Sequence, residues 1–220
     1  QNLTILGTSH ISKESVNEVE KEILSKKPDI IALELDSSRF KTLISKKIGS
    51  NSITIIKTLG ISGFILNLIG SYVERSLSKY TGSKPGSEMK KAIELAKKNR
   101  IRLSLIDQPI QITIKKLSSQ LTRKEKLRFV KEVIITLFSK KQIKFNLNRM
   151  PSERIIQKLL RETKQKYPTV HRILVTERNS YMAKFLYKLI NTYPDKKILA
   201  IVGAGHEKEI MGEIKLIMKQ

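Results

Sequence analysis

Two stretches decide the fold, Leu3-Thr4-Ile5-Leu6-Gly7-Thr8-Ser9-His10 near the start of the chain and Lys197-Ile198-Leu199-Ala200-Ile201-Val202-Gly203-Ala204-Gly205-His206 near its end. Each contains a short apolar run without helical periodicity, which predicts a strand buried on both faces. Each ends in a Gly-x-x-His turn, where glycine lets the chain leave the sheet and lets a ligand approach the backbone. Because ligands of open α/β sheets bind at the carboxyl ends of the strands, we expect His10 and His206 to share such a site.

Two further strands are predicted, at residues 30–36 and 101–107, and these end in acidic residues. Glu34 comes at the end of a buried strand, so its carboxylate needs a partner. Asp36 precedes two serines at the start of a helix, and we interpret it as an N-cap rather than as a catalytic group. Asp107 either joins Glu34 in a cluster at the strand ends or caps the helix that follows it.

A long helix is predicted over residues 168–191, and it carries an arginine on its apolar side. One stripe of this helix holds His171, Val175, Arg178, Met182, Phe185 and Leu189. Arg178 is therefore expected to point inward, where a guanidinium is costly unless an anion meets it. We expect that anion to be Glu34 or Asp107 in the resting protein. His171, on the same stripe, is expected to be a hydrogen-bonded core histidine.

Strands that alternate with helices predict an α/β fold with a mainly parallel central sheet flanked by helices. The 220 residues suit a single domain, 1–220, with helical insertions around 52–80 and 110–166. Residues 53–73 are apolar and long enough to span a bilayer, but a lysine, an asparagine and three glycines interrupt them. We therefore interpret this segment as a helical pair that serves as a lid, a homodimer contact or a membrane-facing flap.

The composition limits the chemistry that the protein can use. There is no cysteine, which excludes disulfides, thiolate metal sites and cysteine nucleophiles, so any metal must be held by His, Asp or Glu. The formal net charge is +23, from 43 Lys and Arg against 20 Asp and Glu. Such an excess can indicate nucleic acid or an anionic membrane surface as a partner. Here the charge is spread along the chain and aromatic residues are few, so we favour a generally lysine-rich composition and do not expect nucleic acid as a partner.

Two neutral imidazoles and a carboxylate make a donor set suited to Zn, Mn, Fe or Co. His10, His206 and Glu34 would supply this set and leave positions open for water. A metal there would lower the pKa of that water, and a carboxylate could accept its proton. Arg178 could hold a substrate carboxylate or stabilise an oxyanion. The alternative is that both histidines only cap the loops that follow their strands.

Six short motifs together resemble one known family. They are Gly7-Thr8-Ser9-His10, Ala32-Leu33-Glu34-Leu35-Asp36-Ser37-Ser38-Arg39, Gly86-Ser87-Glu88-Met89, Leu105-Ile106-Asp107, Glu177-Arg178-Asn179-Ser180-Tyr181-Met182-Ala183 and Val202-Gly203-Ala204-Gly205-His206. In this order, and over nearly the whole chain, they resemble the TraB/PrgY pheromone-shutdown family. That family is related to GumN and to the Tiki proteases, and more distantly to erythromycin esterases and ChaN-like proteins.

The resemblance implies an erythromycin-esterase/ChaN/Tiki-like α/β fold and a metal-dependent hydrolase, most specifically a metallopeptidase that acts on peptides with Mn, Co or Zn. It also assigns roles to the matching positions of this chain. The metal ligands would be His10, His206 and Glu34, the catalytic residues Glu34 and Arg178, and the substrate-binding residues Arg39, Glu88 and Asn179.

A second class of function stays open beside the hydrolase. A module of the same fold could sequester a peptide without cleaving it, or bind to a membrane surface. The resemblance bears on the membrane as well, because members of this family usually carry transmembrane helices after the domain. It therefore implies that this chain is a soluble domain, on one face of the membrane, of a longer membrane-associated protein.

Overall fold

A computed structural model describes residues 2–8, 13–45, 86–128, 131 and 153–219 of the chain. Within these residues four strands form one sheet in the order β1-β4-β2-β3, and every neighbouring pair is parallel. The strands are β1 (Leu3–Thr8), β2 (Ile30–Leu33), β3 (Arg102–Leu105) and β4 (Ile198–Gly203). The predicted α/β fold with a parallel sheet is confirmed.

Helices cover both faces of this sheet. The helices in the described residues are α1 (Lys13–Lys26), α2 (Ser37–Ile44), α3 (Ser87–Lys98), α4 (Ile110–Gln120), α5 (Glu153–Lys166), α6 (Pro168–His171), α7 (Glu177–Thr192) and α8 (Glu207–Ile217), with a π-helical turn (Arg172–Thr176) between α6 and α7. An apolar cluster joins α7 and α8 to one face of the sheet, and a second cluster joins α1 and α3 to the other. The described part of the chain is thus a three-layered α/β/α arrangement.

The strand β4 shows why the sheet needs a helical layer on each face. All six of its residues are buried. Ile198, Ala200 and Val202 belong to the cluster of α7 and α8, whereas Leu199 and Ile201 belong to that of α1 and α3. This alternation follows from the period of two along a strand. Burial on both faces is confirmed for β4, while β1 is only partly buried because it lies at an edge of the sheet.

Only part of the two predicted helical insertions lies within the described residues. The one around 52–80 lies outside the described residues. In the one around 110–166, the described residues are helical in α4, at 123–128 and in α5. Across the described ranges, no helix is both long and apolar enough to cross a membrane.

The second strand is shorter than predicted, because β2 ends at Leu33 and not at Asp36. Asp36 begins α2 as an N-cap, and its Oδ1 accepts hydrogen bonds from the backbone N–H groups of Ser38 (2.7 Å) and Arg39 (2.9 Å). Its other carboxylate oxygen accepts from the backbone N–H of Ile110 at the start of α4 (2.9 Å). The interpretation of Asp36 as a cap is therefore confirmed, and the cap also fixes where the chain leaves β3.

A π-helical turn inside the predicted helix 168–191 changes which side of α7 faces the core. A π turn holds about one residue more than an α turn, so the buried face of α7 is shifted by about one position. The buried residues of α7 are Asn179, Met182, Ala183, Leu186 and Leu189. The prediction that Phe185 is buried is wrong, since that residue is 37% exposed. Arg178 lies at the rim of the buried face, with 14% of its side chain exposed.

Gly7 lies where the ends of β1 and β4 pack together. A Cβ atom added at Gly7 would be 2.3 Å from Oε2 of Glu207 and 3.0 Å from Cα of Ala204. The carboxylate can move aside, but the backbone of Ala204 is tied to β1, because its N–H donates to the carbonyl of Thr8 (2.8 Å). We expect Gly7→Ala to lower the free energy of unfolding, measured by urea denaturation, by about 1–3 kcal/mol, the usual cost of overpacking.

Gly212→Ala is the matched control for Gly7→Ala. Gly212 lies within α8, and a Cβ added there would have nothing within 4 Å. Alanine favours a helix over glycine by about 0.8–1.0 kcal/mol, so this variant is expected to be at least as stable as the parent. Equal stability of the two variants would show that Gly7 is not needed for the close approach.

Candidate active site

The strand order brings the end of β2 directly beside the end of β4. Just after β2, the backbone N–H of Glu34 donates to the carbonyl of Ile201 (3.1 Å). The N–H of Gly203, the last residue of β4, donates to Oε2 of Glu34 (2.6 Å). Only 3% of the Glu34 side chain is exposed. The carboxylate predicted to need a partner is therefore held at the carboxyl edge of the sheet, next to the second Gly-x-x-His motif.

Arg178 is paired with two buried carboxylates at this edge. Its Nε donates to Oδ1 of Asp107 (2.9 Å) and its Nη2 donates to Oδ2 (2.8 Å), which makes a bidentate pair. Nη2 also donates to Oε1 of Glu34, and Nη1 donates to the carbonyl of Leu174 in the π-helical turn (3.1 Å). The expectation that Arg178 points inward and meets Glu34 or Asp107 is confirmed, and it meets both.

These partners keep the side chain of Arg178 positively charged. Burial by itself would lower the pKa of Arg178, but the bonds to Asp107 and the negative charge of Glu34 outweigh burial and raise that pKa. The guanidinium therefore stays protonated. Because a buried charge without a partner is prohibitive, the three groups depend on one another for their burial.

Asp107 extends the cluster toward solvent through a second arginine. Nη1 of Arg39 donates to Oδ2 of Asp107 (2.7 Å), and the backbone N–H of Gln108 donates to Oδ1 (2.8 Å). The side chain of Arg39 is 39% exposed, against 2% for Asp107. A ligand arriving from solvent can therefore reach Arg39 without first displacing a buried group.

His206 completes the cluster at the start of α8. Its Nε2 lies 3.6 Å from Oε1 of Glu34 and 3.5 Å from Nη1 of Arg178. Its Nδ1 lies 2.5 Å from Oδ1 of Asn179, and the amide nitrogen of Asn179 donates to Oε2 of Glu209. Nε2 therefore faces the carboxylate of Glu34 and the guanidinium of Arg178, whereas Nδ1 faces Asn179 of α7.

Two of the expected metal ligands can be compared with the geometry of a metal site. Two ligands about 2.1 Å from one tetrahedral ion lie about 3.4 Å apart. The separation of His206 Nε2 from Glu34 Oε1, 3.6 Å, fits this spacing. The third expected ligand, His10, lies outside the described residues. In the ranges that the structure does describe, no group of three or more His, Asp or Glu side chains is placed to hold a metal.

The other predicted site residues are placed unequally around this cluster. The structure brings Glu34, Arg178, His206, Arg39 and Asn179 together through the contacts above. Asn179 is completely buried. Glu88 is also buried, in the first turn of α3, and its part in substrate binding stays a prediction. The roles assigned to His10 stay predictions as well.

Glu209 is the member of the network that sequence reasoning missed. It lies in the first turn of α8, where the helix dipole favours a negatively charged side chain, so its position does not by itself suggest a role in the site. Its spacing from His206, three residues along the chain, was the available signal, because residues three apart share a helix face. Only the position of α7 shows that Asn179 lies between the two.

Together, fold and site define an α/β domain with an Arg–carboxylate–His cluster at the carboxyl ends of parallel strands, where open α/β sheets bind their ligands. The chain belongs to the TraB/PrgY/gumN family, whose sequence model matches residues 1–220.

The chain is also similar to proteins of distant organisms. An uncharacterized protein of Methanocaldococcus jannaschii is 36% identical over 215 residues, which cover 96% of this chain and 53% of the relative. TraB domain-containing proteins of Bos taurus and Homo sapiens are 24% and 23% identical over 193 residues, covering 83% of this chain and 51% of each relative. The chain thus spans about half the length of the curated relatives it matches.

Proposed function

We propose that this domain is a metal-dependent hydrolase that cleaves peptides. The observation that carries the proposal is the placement of His206 Nε2 3.6 Å from Glu34 Oε1, with a charged arginine against both. A neutral imidazole nitrogen and a carboxylate at this spacing are a common pair of metal ligands. Family membership agrees with the proposal, and the chemistry itself is inferred from the cluster.

The proposed cofactor is a divalent Mn, Co or Zn ion. His206 and Glu34 would hold it together with His10, which the sequence places two residues after the end of β1. β1 and β4 are neighbours, and Thr8, two residues before His10 in the sequence, pairs with Gly203, three residues before His206. When bound, the ion would lower the pKa of a water molecule and polarise a substrate carbonyl.

The side chains around the proposed ion have separate tasks. Glu34 can accept a proton from water, because it is a carboxylate already held in place by Gly203 and Arg178. The guanidinium of Arg178 can stabilise negative charge that develops on a substrate oxygen. Arg39, half-exposed on the outer side of Asp107, is the group best placed to bind a peptide carboxylate.

Removing the metal is expected to abolish peptide cleavage. The purified protein, loaded with Mn, Co or Zn, should cleave members of a peptide library, and excess chelator should slow cleavage at least about 100-fold, since a metal contributes several kcal/mol to such reactions. Adding the metal back should restore the rate. His206→Ala should show the same loss without chelator, and elemental analysis should show less bound metal.

His171→Gln is the matched control for His206→Ala. It also removes a histidine, in this case a buried one that makes none of the contacts with Arg178, Glu34 or Asp107 described above. Its cleavage should remain close to that of the parent and should still be sensitive to chelator. A protein that binds peptides but cleaves none of them with any of the three metals would contradict the proposal and favour the peptide-sequestering module.

A further inference from the structure

The hydrogen bonds of Asn179 determine which nitrogen of His206 carries the proton. A carboxylate has no hydrogen to donate, so Oε2 of Glu209 can only accept, and the group facing it must be the NH2 of Asn179. The carbonyl oxygen of Asn179 is then the atom that faces Nδ1 of His206, at 2.5 Å. Because that oxygen also only accepts, Nδ1 must be the donor.

The opposite side of the ring does not by itself fix the tautomer. In a neutral imidazole with a proton on Nδ1, Nε2 carries the lone pair. Nη1 of Arg178, which can only donate, lies 3.5 Å from Nε2 and favours this form. Oε1 of Glu34, which can only accept, lies 3.6 Å from Nε2 and favours the other form. The two groups oppose each other, so the amide of Asn179 decides which ring nitrogen carries the proton.

Glu209, Asn179 and His206 lie on two helices that pack against each other. Asn179 is completely buried in the first turn of α7, directly after the π-helical turn. Glu209 lies in α8 and His206 is the N-cap of that helix, where the N–H of Ile210 donates to the carbonyl of His206 (2.9 Å). α7 and α8 share one apolar cluster, so the distance between the ring and its amide partner is set by core packing.

We propose that Asn179 and Glu209 are positioning residues that hold His206 as its Nδ1–H tautomer, with the Nε2 lone pair on the side of Glu34 and Arg178. Asn179 then acts through His206 rather than by touching substrate. Histidines that bind metals through one ring nitrogen commonly donate the other N–H to an oxygen, and loss of that partner typically costs 10–100-fold in metal affinity. Only the consequence for metal binding rests on the proposed function, since the tautomer is a property of the protein alone.

Nitrogen NMR of the imidazole rings in the metal-free protein tests the tautomer. The chain has three histidines, so His10→Gln and His171→Gln variants suffice to assign the signals. At a pH where the rings are neutral, the parent should show a protonated Nδ1 and an unprotonated Nε2 for His206. An Nε2–H form of His206 in the parent would overturn the proposal.

Glu209→Ala is the decisive variant, because Glu209 is exposed and its removal leaves the core intact. Without this acceptor the side-chain amide of Asn179 can rotate and present either its oxygen or its NH2 group to Nδ1. His206 should therefore become a mixture of the two neutral tautomers. Asn179→Ala should remove the preference entirely, with circular dichroism as a check that it folds. An unchanged tautomer in Glu209→Ala would overturn the proposal whether or not Asn179→Ala folds.

Metal titration separates this inference from the proposed function. Mn, Co or Zn should bind Glu209→Ala about 10–100-fold more weakly than the parent. Glu213→Ala removes the same charge one turn further along α8 and is expected to keep the parental affinity and tautomer. If the parent bound no metal, the proposed function would fail, whereas the NMR result would still decide the tautomer.

Discussion

Arg178→Met is expected to lower the free energy of unfolding by about 3–5 kcal/mol, the usual cost of removing one partner from a buried charge cluster. The variant removes the guanidinium that both Glu34 and Asp107 contact, and the side chains of these two acids are only 3% and 2% exposed. For a chain of this size such a loss corresponds to a decrease of about 10 °C in melting temperature. Peptide cleavage should fall below detection at temperatures where the variant is still folded.

Two further variants separate charge from geometry at Arg178. Arg178→Lys keeps one positive charge but cannot make the bidentate bond to Asp107 together with the bond to Glu34, so it should lose less stability and still lose cleavage sharply. Arg178→Met combined with Asp107→Asn also removes the charge of one of the two buried carboxylates. The double variant should therefore recover at least about 1 kcal/mol relative to Arg178→Met, within the range of coupling between neighbouring residues.

The contrary result for Arg178 is a stable and active methionine variant. Urea denaturation and the rate of cleavage of the best library peptide would both have to match the parent. In that case neither the burial of the two carboxylates nor the proposed chemistry would depend on the guanidinium. Loss of stability with an undiminished rate in the folded fraction would make Arg178 purely structural.

Glu34→Gln is expected to reduce kcat/KM for peptide cleavage at least about 100-fold, the lower range of general acid–base contributions. Glutamine has the same shape and can still accept from the N–H of Gly203, so the ends of β2 and β4 should remain in place. It removes the charge that Arg178 faces and that a metal would need. The measurements are cleavage kinetics, metal titration and melting temperature on the same preparation.

Asp195→Asn is the matched control for Glu34→Gln. Asp195 is an exposed carboxylate that precedes β4, at the opposite end of that strand from Gly203. Its neutralisation changes the net charge of the protein by the same amount and should leave kcat/KM unchanged. If Glu34→Gln also retained the parental kcat/KM, Glu34 could be neither the proton acceptor nor a metal ligand.

Local patterns predicted much of the scaffold and the inward arginine. The apolar run of β4 and the alternation of strands with helices follow from side-chain periodicity, which any short stretch displays by itself. The carboxylate of Glu34 could be placed at a strand end in the same way, as could the cap formed by Asp36. These features depend on residues that are a few positions apart, so they can be predicted from a single sequence.

Where the sequence failed, a non-local feature or an irregular helix was responsible. Phe185 was assigned to the core by a regular helical wheel, and the π-helical turn at Arg172–Thr176 shifts that wheel. Glu209 does not appear among the predicted site residues, and an acidic residue in the first turn of a helix is ordinary. Neither the extra residue in the turn nor the contact of Glu209 with Asn179 leaves a periodic signal.

By itself, the sequence determined that this protein has parallel strands ending in a glutamate and in Gly-x-x-His motifs, and that Arg178 must meet an anion. Only the tertiary structure decided which groups meet. The order β1-β4-β2-β3 places Gly203 against Glu34 although 169 positions separate them in the chain. The packing of α7 on α8 likewise brings Asn179 between Glu209 and His206. Strand order and helix packing arise from burying apolar faces that are distant in sequence, which no local pattern specifies.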